Sequence, residues 1–237
     1  MGWLGRFCDF ASPLAEGVDG VFGLGVNHSW VSSRHLGAAW ALGGDGSAGR
    51  RWFKALPPRV PLSALMPLIG MGDSRRRALG LAAMDSLLPR PAGGIPLPDY
   101  LASRRGRGAV VLGRSELTAL LRMELSVECV VVDRPSRDDE VGQWWGRLLR
   151  FGAPMLWVLP EAVSWMPWCL PPGALEGFEE VILGPEPYPP AGELYRSLGV
   201  TGWVFHRWGR DRDALSWMVR GGHLMDMDGY SLEVSFL

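Results

Sequence analysis

Two glutamates stand among tryptophans and prolines, where a carboxyl group changes character. Glu161 follows the apolar run PMLWVLP, and Glu186 sits in LGPEPYPPAGEL. A carboxyl group in an apolar, Trp-lined setting has a raised pKa, so either residue can give or take a proton near neutral pH. Asp133 and Arg134 end the run VECVVVDR. Asp133 has the spacing from Gly113 at which a ribose-binding carboxylate sits, and it reads equally well as a loop acid paired with Arg134 or Arg137. The turn VVLGRSEL offers Gly113 and Ser115. It has one glycine where a dinucleotide fingerprint needs three, so neither NAD nor FAD is expected.

Other chemistries find less support. The four histidines, His28, His35, His206 and His223, form no HxH or HxxxH pair. GGHLMDMDG brings His223, Asp226 and Asp228 together at no known ligand spacing, and it reads as a hairpin turning at Asp228-Gly229. Cys8, Cys129 and Cys169 make no CxxC pair, and no GxSxG elbow occurs. Among the 12 tryptophans, Trp144, Trp145, Trp157, Trp165 and Trp168 fall close together. Such a cluster packs a core, lines an apolar pocket or docks a partner.

These residues need elements to hold them. Val18 to Val26, Trp30 to His35 and Ala38 to Leu42 read as antiparallel strands in a β-rich first stretch. Leu62 to Leu68 reads as a short helix. GDSRRRALGLAAMDSLLPR is the clearest helix, with an apolar face at helical spacing and Pro89 as its stop. Gly80 and its alanines let another backbone approach. Beyond a Pro- and Arg-rich stretch, the apolar runs GAVVLG, VECVVV, PMLWVL, EEVILG and TGWVFH alternate with helical patterns. Uniformly apolar strands between helices predict a parallel sheet covered on both faces. Ligands of such sheets bind beyond the carboxyl ends of the strands. That rule selects Gly113 to Ser115, Asp133 and Arg134, Pro160 and Glu161, Gly184 to Pro190, and His206 to Trp208. The four prolines of the Gly184–Pro190 loop preset a stiff wall, with Gly184, Pro185, Pro187 and Tyr188 as its candidate contacts.

Composition bounds the answer. The 237 residues fit one large domain or two small ones. With 47% apolar and 21% charged residues, the chain is ordinary for a globular protein. A net charge of −1 carries no footprint for nucleic acid. The most apolar stretch, 151–175, holds five prolines, so no membrane helix is expected there. The N-terminal apolar stretch is too interrupted for a signal peptide, which points to a cytoplasmic protein. Arginine has almost replaced lysine, as in a GC-rich bacterial genome; Lys54 is the only lysine.

Several segments resemble a two-domain bacterial and archaeal family described as heavy-metal chelation proteins. SALMPLIGMGDSRRRALGLAAMDSLL is similar to that family's ALGLAAINAL helix. VVVDRPSRDD is similar to its VFERNP strand end, with Asp133 and Arg134 on the acidic and basic positions. VILGPEPYPP is similar to its GPSTPLSP loop, covering Gly184, Pro185 and Pro190, and Gly199 and Gly202 fall on family glycines. Two departures stand out. Glu186 replaces a serine, and LPEAVSW replaces a TGS…N segment, so Pro160, Glu161 and Trp165 stand where hydroxyl and amide groups belong. The resemblance implies a small enolase-N-terminal-like α+β domain (1–92), a linker (93–107) and a Rossmann-like domain with a mainly parallel sheet (108–237). It implies a cleft between them that takes a small molecule, as a metal-linked chelate with its bound metal. Gly113, Ser115, Asp133, Arg134, Trp165, Gly184, Pro185, Pro187 and Tyr188 are its expected ligand contacts. Two alternatives use the same residues differently. One is an enzyme of specialised metabolism with Glu161 and Glu186 as acid and base. The other is a non-catalytic subunit, or a homodimer, that docks through the Trp-rich surface.

Overall fold

Trp3, Phe7, Ala11 and Ala15 recur every fourth residue, and all four are buried along one stripe of a helix, α1 (Trp3–Ala15). It adds an α-element to a stretch expected to be β-rich. The computed structural model describes residues 3–24, 28–40, 59–71, 74–113, 117–125, 129–132, 141–163, 174–185 and 187–237. After α1 come β1 (Asp19–Leu24), β2 (His28–Ser32), β3 (Leu36–Trp40) and β4 (Arg59–Pro61). They form a four-stranded antiparallel sheet in the order β3-β2-β1-β4. Residues 62–70 form two 3-10 turns, Leu62–Ala64 and Met66–Gly70, where one short helix is expected.

The expected long helix is α2 (Ser74–Asp85). It lies directly on β3. A Cβ at Gly37 would stand 2.1 Å from the Ala82 carbonyl oxygen, so only glycine permits the approach. Gly80 does the same against the Ile69 backbone nitrogen, at 2.6 Å. β3 alternates accordingly. Gly37 and Ala39 turn toward α2, while Leu36 and Ala38 turn the other way, against Trp208, Ala214, Met218 and Leu224.

The second sheet has seven strands. Its elements are β5 (Ile95–Pro96), α3 (Leu97–Ser103), β6 (Ala109–Leu112), α4 (Thr118–Glu124), β7 (Cys129–Val132), α5 (Val141–Arg150) and β8 (Met155–Val158). They continue with α6 (Pro160–Val163), β9 (Glu180–Leu183), α7 (Gly192–Ser197), β10 (Gly202–Arg207), α8 (Asp211–Val219) and β11 (Ser231–Phe236). The order is β5-β11-β10-β9-β8-β6-β7. The strands β7, β6, β8, β9 and β10 run parallel, and β11 and β5 add antiparallel strands at one edge, so the sheet is mixed. The chain moves from β6 out to β7 and then crosses back to β8, which makes the β6/β8 carboxyl ends a switch point.

Two details differ from expectation. Residues 93–107 carry β5 and α3, and Leu97, Tyr100 and Leu101 are buried against the second sheet at helical spacing. The tail makes no hairpin at Asp228-Gly229. A 3-10 turn, Leu224–Asp226, precedes that pair, and β11 pairs with β10 instead. The physical reason is that β10 offers six backbone positions for β11 to pair with, whereas LMDMDG offers no strand of its own.

The two sheets do not have wholly separate interiors. Phe7 of α1 packs on Tyr195 of α7 with ring centroids 5.8 Å apart, inside one buried cluster shared by both halves. Among the described residues no helix is long and apolar enough to cross a membrane.

Candidate functional site

The strand-end residues selected from sequence divide into three groups. Ser115, Asp133, Arg134, Trp165 and Glu186 lie outside the described residues. Glu161 lies on α6, directly beyond β8. Gly113, Gly184, Pro185, Pro187 and Tyr188 are packed into the protein. Gly113 follows β6 with φ 95°, and a Cβ there would be 3.2 Å from the Ala162 nitrogen. Gly184 has φ 147° and precedes a cis bond to Pro185. A Cβ at Gly184 would strike Val204 at 2.4 Å. Pro185, Pro187 and Tyr188 are buried. The Tyr188 N–H donates to the Val204 carbonyl (2.8 Å) and its hydroxyl to the Val158 carbonyl (3.1 Å). This stretch therefore continues the sheet between β8 and β10.

The polar chemistry gathers one strand further along, at the carboxyl end of β10, where β3 meets the second sheet. An edge strand presents unpaired backbone groups. Those of β3 are met by side chains. The Leu36 N–H donates to Asp211 (3.0 Å), and the Leu36 carbonyl accepts from Arg90 (2.5 Å). The Ala38 N–H donates to Asp85 (2.9 Å). Arg90 pairs with Asp211 (3.1 Å) and lies 3.7 Å over the Trp208 ring. The Trp208 indole N–H also donates to Asp211 (2.8 Å). Burial pushes the Asp211 carboxyl up, but Trp208, Leu36 and Arg90 together hold it below the usual carboxylate range. Asp85 is buried deeper, and burial raises it to about 7 in spite of Arg90 and the Ala38 N–H.

Three of the four histidines converge here. His28 and Trp40 are cross-strand partners on β2 and β3, with rings 6.2 Å apart. The His223 ring, from the turn after α8, stands 4.9 Å from His28 and 5.4 Å from Trp40. His206, near the end of β10, packs on Trp208 (5.4 Å) and shares a 2.8 Å hydrogen bond with the Tyr230 hydroxyl through Nδ1. His28 is 1% exposed and His206 4%. Their Nε2 atoms, and the Trp40 indole nitrogen, are buried without a hydrogen bond of ordinary geometry. The Ala38 carbonyl stands against His206 and the Tyr230 hydroxyl against Trp40 as their hydrogen-bonding neighbours, so of these three nitrogens it is the His28 Nε2 that has no partner. Burial, with His223 beside it, lowers His28 to about 3. Burial, followed by the charges of His28 and Arg90, lowers His206 well below the ordinary imidazole value. At neutral pH His28 and His206 are thus uncharged and walled by aromatic rings.

The carboxyl-end rule selects His206 and Trp208. His28 and Trp40 meet as a cross-strand pair, but His28 falls before the strand expected over Trp30 to His35, and Tyr230 joins the cluster only through tertiary packing. Among the described residues no three His, Cys, Asp or Glu side chains stand together as a metal-binding set.

No family model matches the chain, and no curated protein matches it. Two solved structures of DUF364 proteins of unknown function share its fold. One, from Pyrococcus horikoshii, is 14% identical with a TM-score of 0.67, over 99% of this chain and 100% of that one. The other, from Desulfitobacterium hafniense, is 13% identical with a TM-score of 0.64, over 98% and 99%.

Proposed function

We propose that the protein binds a small molecule where β2 and β3 meet the carboxyl end of β10. The observation that carries this reading is the buried, unpartnered Nε2 of His28, walled by the Trp40 and His223 rings. A buried polar group without a partner costs about 1–3 kcal/mol and calls for something that completes it. Aromatic walls with a few convergent polar groups are the usual make-up of a ligand site. In this reading the four-stranded half is an enolase-N-terminal-like α+β domain and the other half is Rossmann-like. A metal-linked chelate, the ligand implied by the resemblance to heavy-metal chelation proteins, would enter through its organic part. The aromatic rings and neutral imidazoles would contact that part.

Native mass spectrometry of the protein purified from its own host tests the reading. A retained small molecule is expected on the natural chain and absent from Trp40→Ala, with both chains folded by circular dichroism. Metal analysis of the same sample reports whether the molecule carries a metal. Identical ligand-free masses for both chains, unchanged after incubation with extract metabolites, would refute it.

A further inference from the structure

The histidine cluster does more than line a site, because it also bridges the two halves. His28 comes from the first sheet; His206 and His223 come from the second half. We infer that acid opens this joint: imidazoles packed ring to ring across it, beside Arg90, take up protons only once the rings part, so falling pH favours the open form. The inference concerns the same place as the proposed binding site. It needs only the histidine packing, so a protein that binds nothing can still pass the test below.

The surrounding groups decide the sign. His28 faces the His223 ring and the buried imidazole of His206. His206 faces His28, His223, the phenol of Tyr230, and Arg90, which is always positive. The acids nearby offer little relief. Asp211 is committed to Arg90, Trp208 and Leu36. Asp85, against Ala38, titrates in the opposite direction, since the closed joint favours its protonated form. Once open, His28 and His206 return to the ordinary imidazole range near 6.5. The open state therefore binds more protons below that pH. Each such imidazole raises the opening equilibrium about tenfold per pH unit. Two imidazoles against one opposing aspartate leave a net rise of about tenfold per unit.

Hydrogen exchange of the full-length protein at pH 7.5, 6.5 and 5.5, corrected for intrinsic exchange, reads the opening directly. Protection in β2, β3 and β10 is expected to fall about fourfold between pH 6.5 and 5.5, where the open-state imidazoles pass through half-protonation, ahead of β6 and β8. His28→Gln keeps a donor and an acceptor without the charge, and is expected to flatten that dependence. The imidazole resonances of the natural chain supply a measurement that needs no variant: His28 and His206 are expected to stay neutral at pH 5.5 in the closed protein. Protection that is constant across this range, or imidazoles that charge near 6.5 in the closed protein, would overturn the inference.

Discussion

Two buried polar clusters sit at opposite ends of the second sheet, and they are built on opposite plans. At the amino end of β9, Glu180 accepts from the Tyr100 hydroxyl, from Arg104 (2.9 Å) and from Arg107 (2.8 Å). Arg104 also lies 4.9 Å over the Tyr100 ring. Every strong group there has a partner of opposite character. Burial pushes the Glu180 carboxyl up, but Tyr100 and the two arginines outweigh it and hold it low. At the carboxyl end of β10, three imidazoles and an indole pack ring against ring, and the buried His28 Nε2 is left unpaired. The first arrangement spends its polar groups on fixing α3 to the sheet. The second leaves the His28 nitrogen open, which is what a site that receives something else requires.

The contrast breaks most visibly at Glu180. Glu180→Ala leaves two arginines and a buried phenol without their shared acceptor. The arginines keep some access to water, with side chains 28% and 31% exposed, so the loss is less than that of a fully buried network. We expect about 2–3 kcal/mol, read as a Tm lower by roughly 5–10 °C in scanning calorimetry at pH 7.5. A change under 1 kcal/mol would mean that the cluster is as dispensable as a surface pair.

At the other end an apolar replacement should cost little. His28→Leu removes an unpaired buried nitrogen and keeps similar volume, so stability at pH 7.5 should move by less than about 1 kcal/mol. At pH 5.5 the variant should be the more stable chain, because it has no imidazole to protonate on unfolding. Urea denaturation at both pH values measures this. A loss of 3 kcal/mol at pH 7.5 would show that His28 is a fully satisfied structural residue and would remove the contrast.

The legibility of the two clusters in the sequence follows the same physics. Strands such as GAVVLG and PMLWVL announce themselves, because a strand buried on both faces is a continuous apolar run. Alternation with helices gives their parallel direction. α1 is harder to see, since Gly5 and Pro13 interrupt a stripe carried by small Ala11 and Ala15. α3 hides its Leu97, Tyr100 and Leu101 among prolines and arginines that look like a linker. The strand-end rule reaches His206 and Trp208, but it also reaches Tyr188, whose hydroxyl is already spent on the Val158 carbonyl. His28 and Trp40 are paired by the β2–β3 register, but Tyr230 and His206 reach them only when the second sheet packs against β3, and nothing in local spacing records that event.

Asp85 gives the smallest effect at neutral pH and the sharpest test of how the carboxyl-end cluster is balanced. Burial raises it to about 7. In the unfolded chain it has an ordinary carboxyl value, about 3.9. Between those values the folded protein holds a proton that the unfolded chain has released. Its contribution to stability is therefore fully present at the acid end and is lost as pH rises through 7. His28 and His206 work the other way: their folded values are depressed, so stability is lost as pH falls below about 6.5. Over pH 6.5 to 5 the aspartate cancels one of the two imidazoles. Asp85→Asn keeps a carbonyl oxygen for the Ala38 N–H and removes the compensation. Its stability should fall about 1.4 kcal/mol more steeply per pH unit across that window than that of the natural chain. Parallel pH profiles for the two chains would mean that Asp85 is ionised in the folded protein, with Arg90 rather than a proton neutralising it.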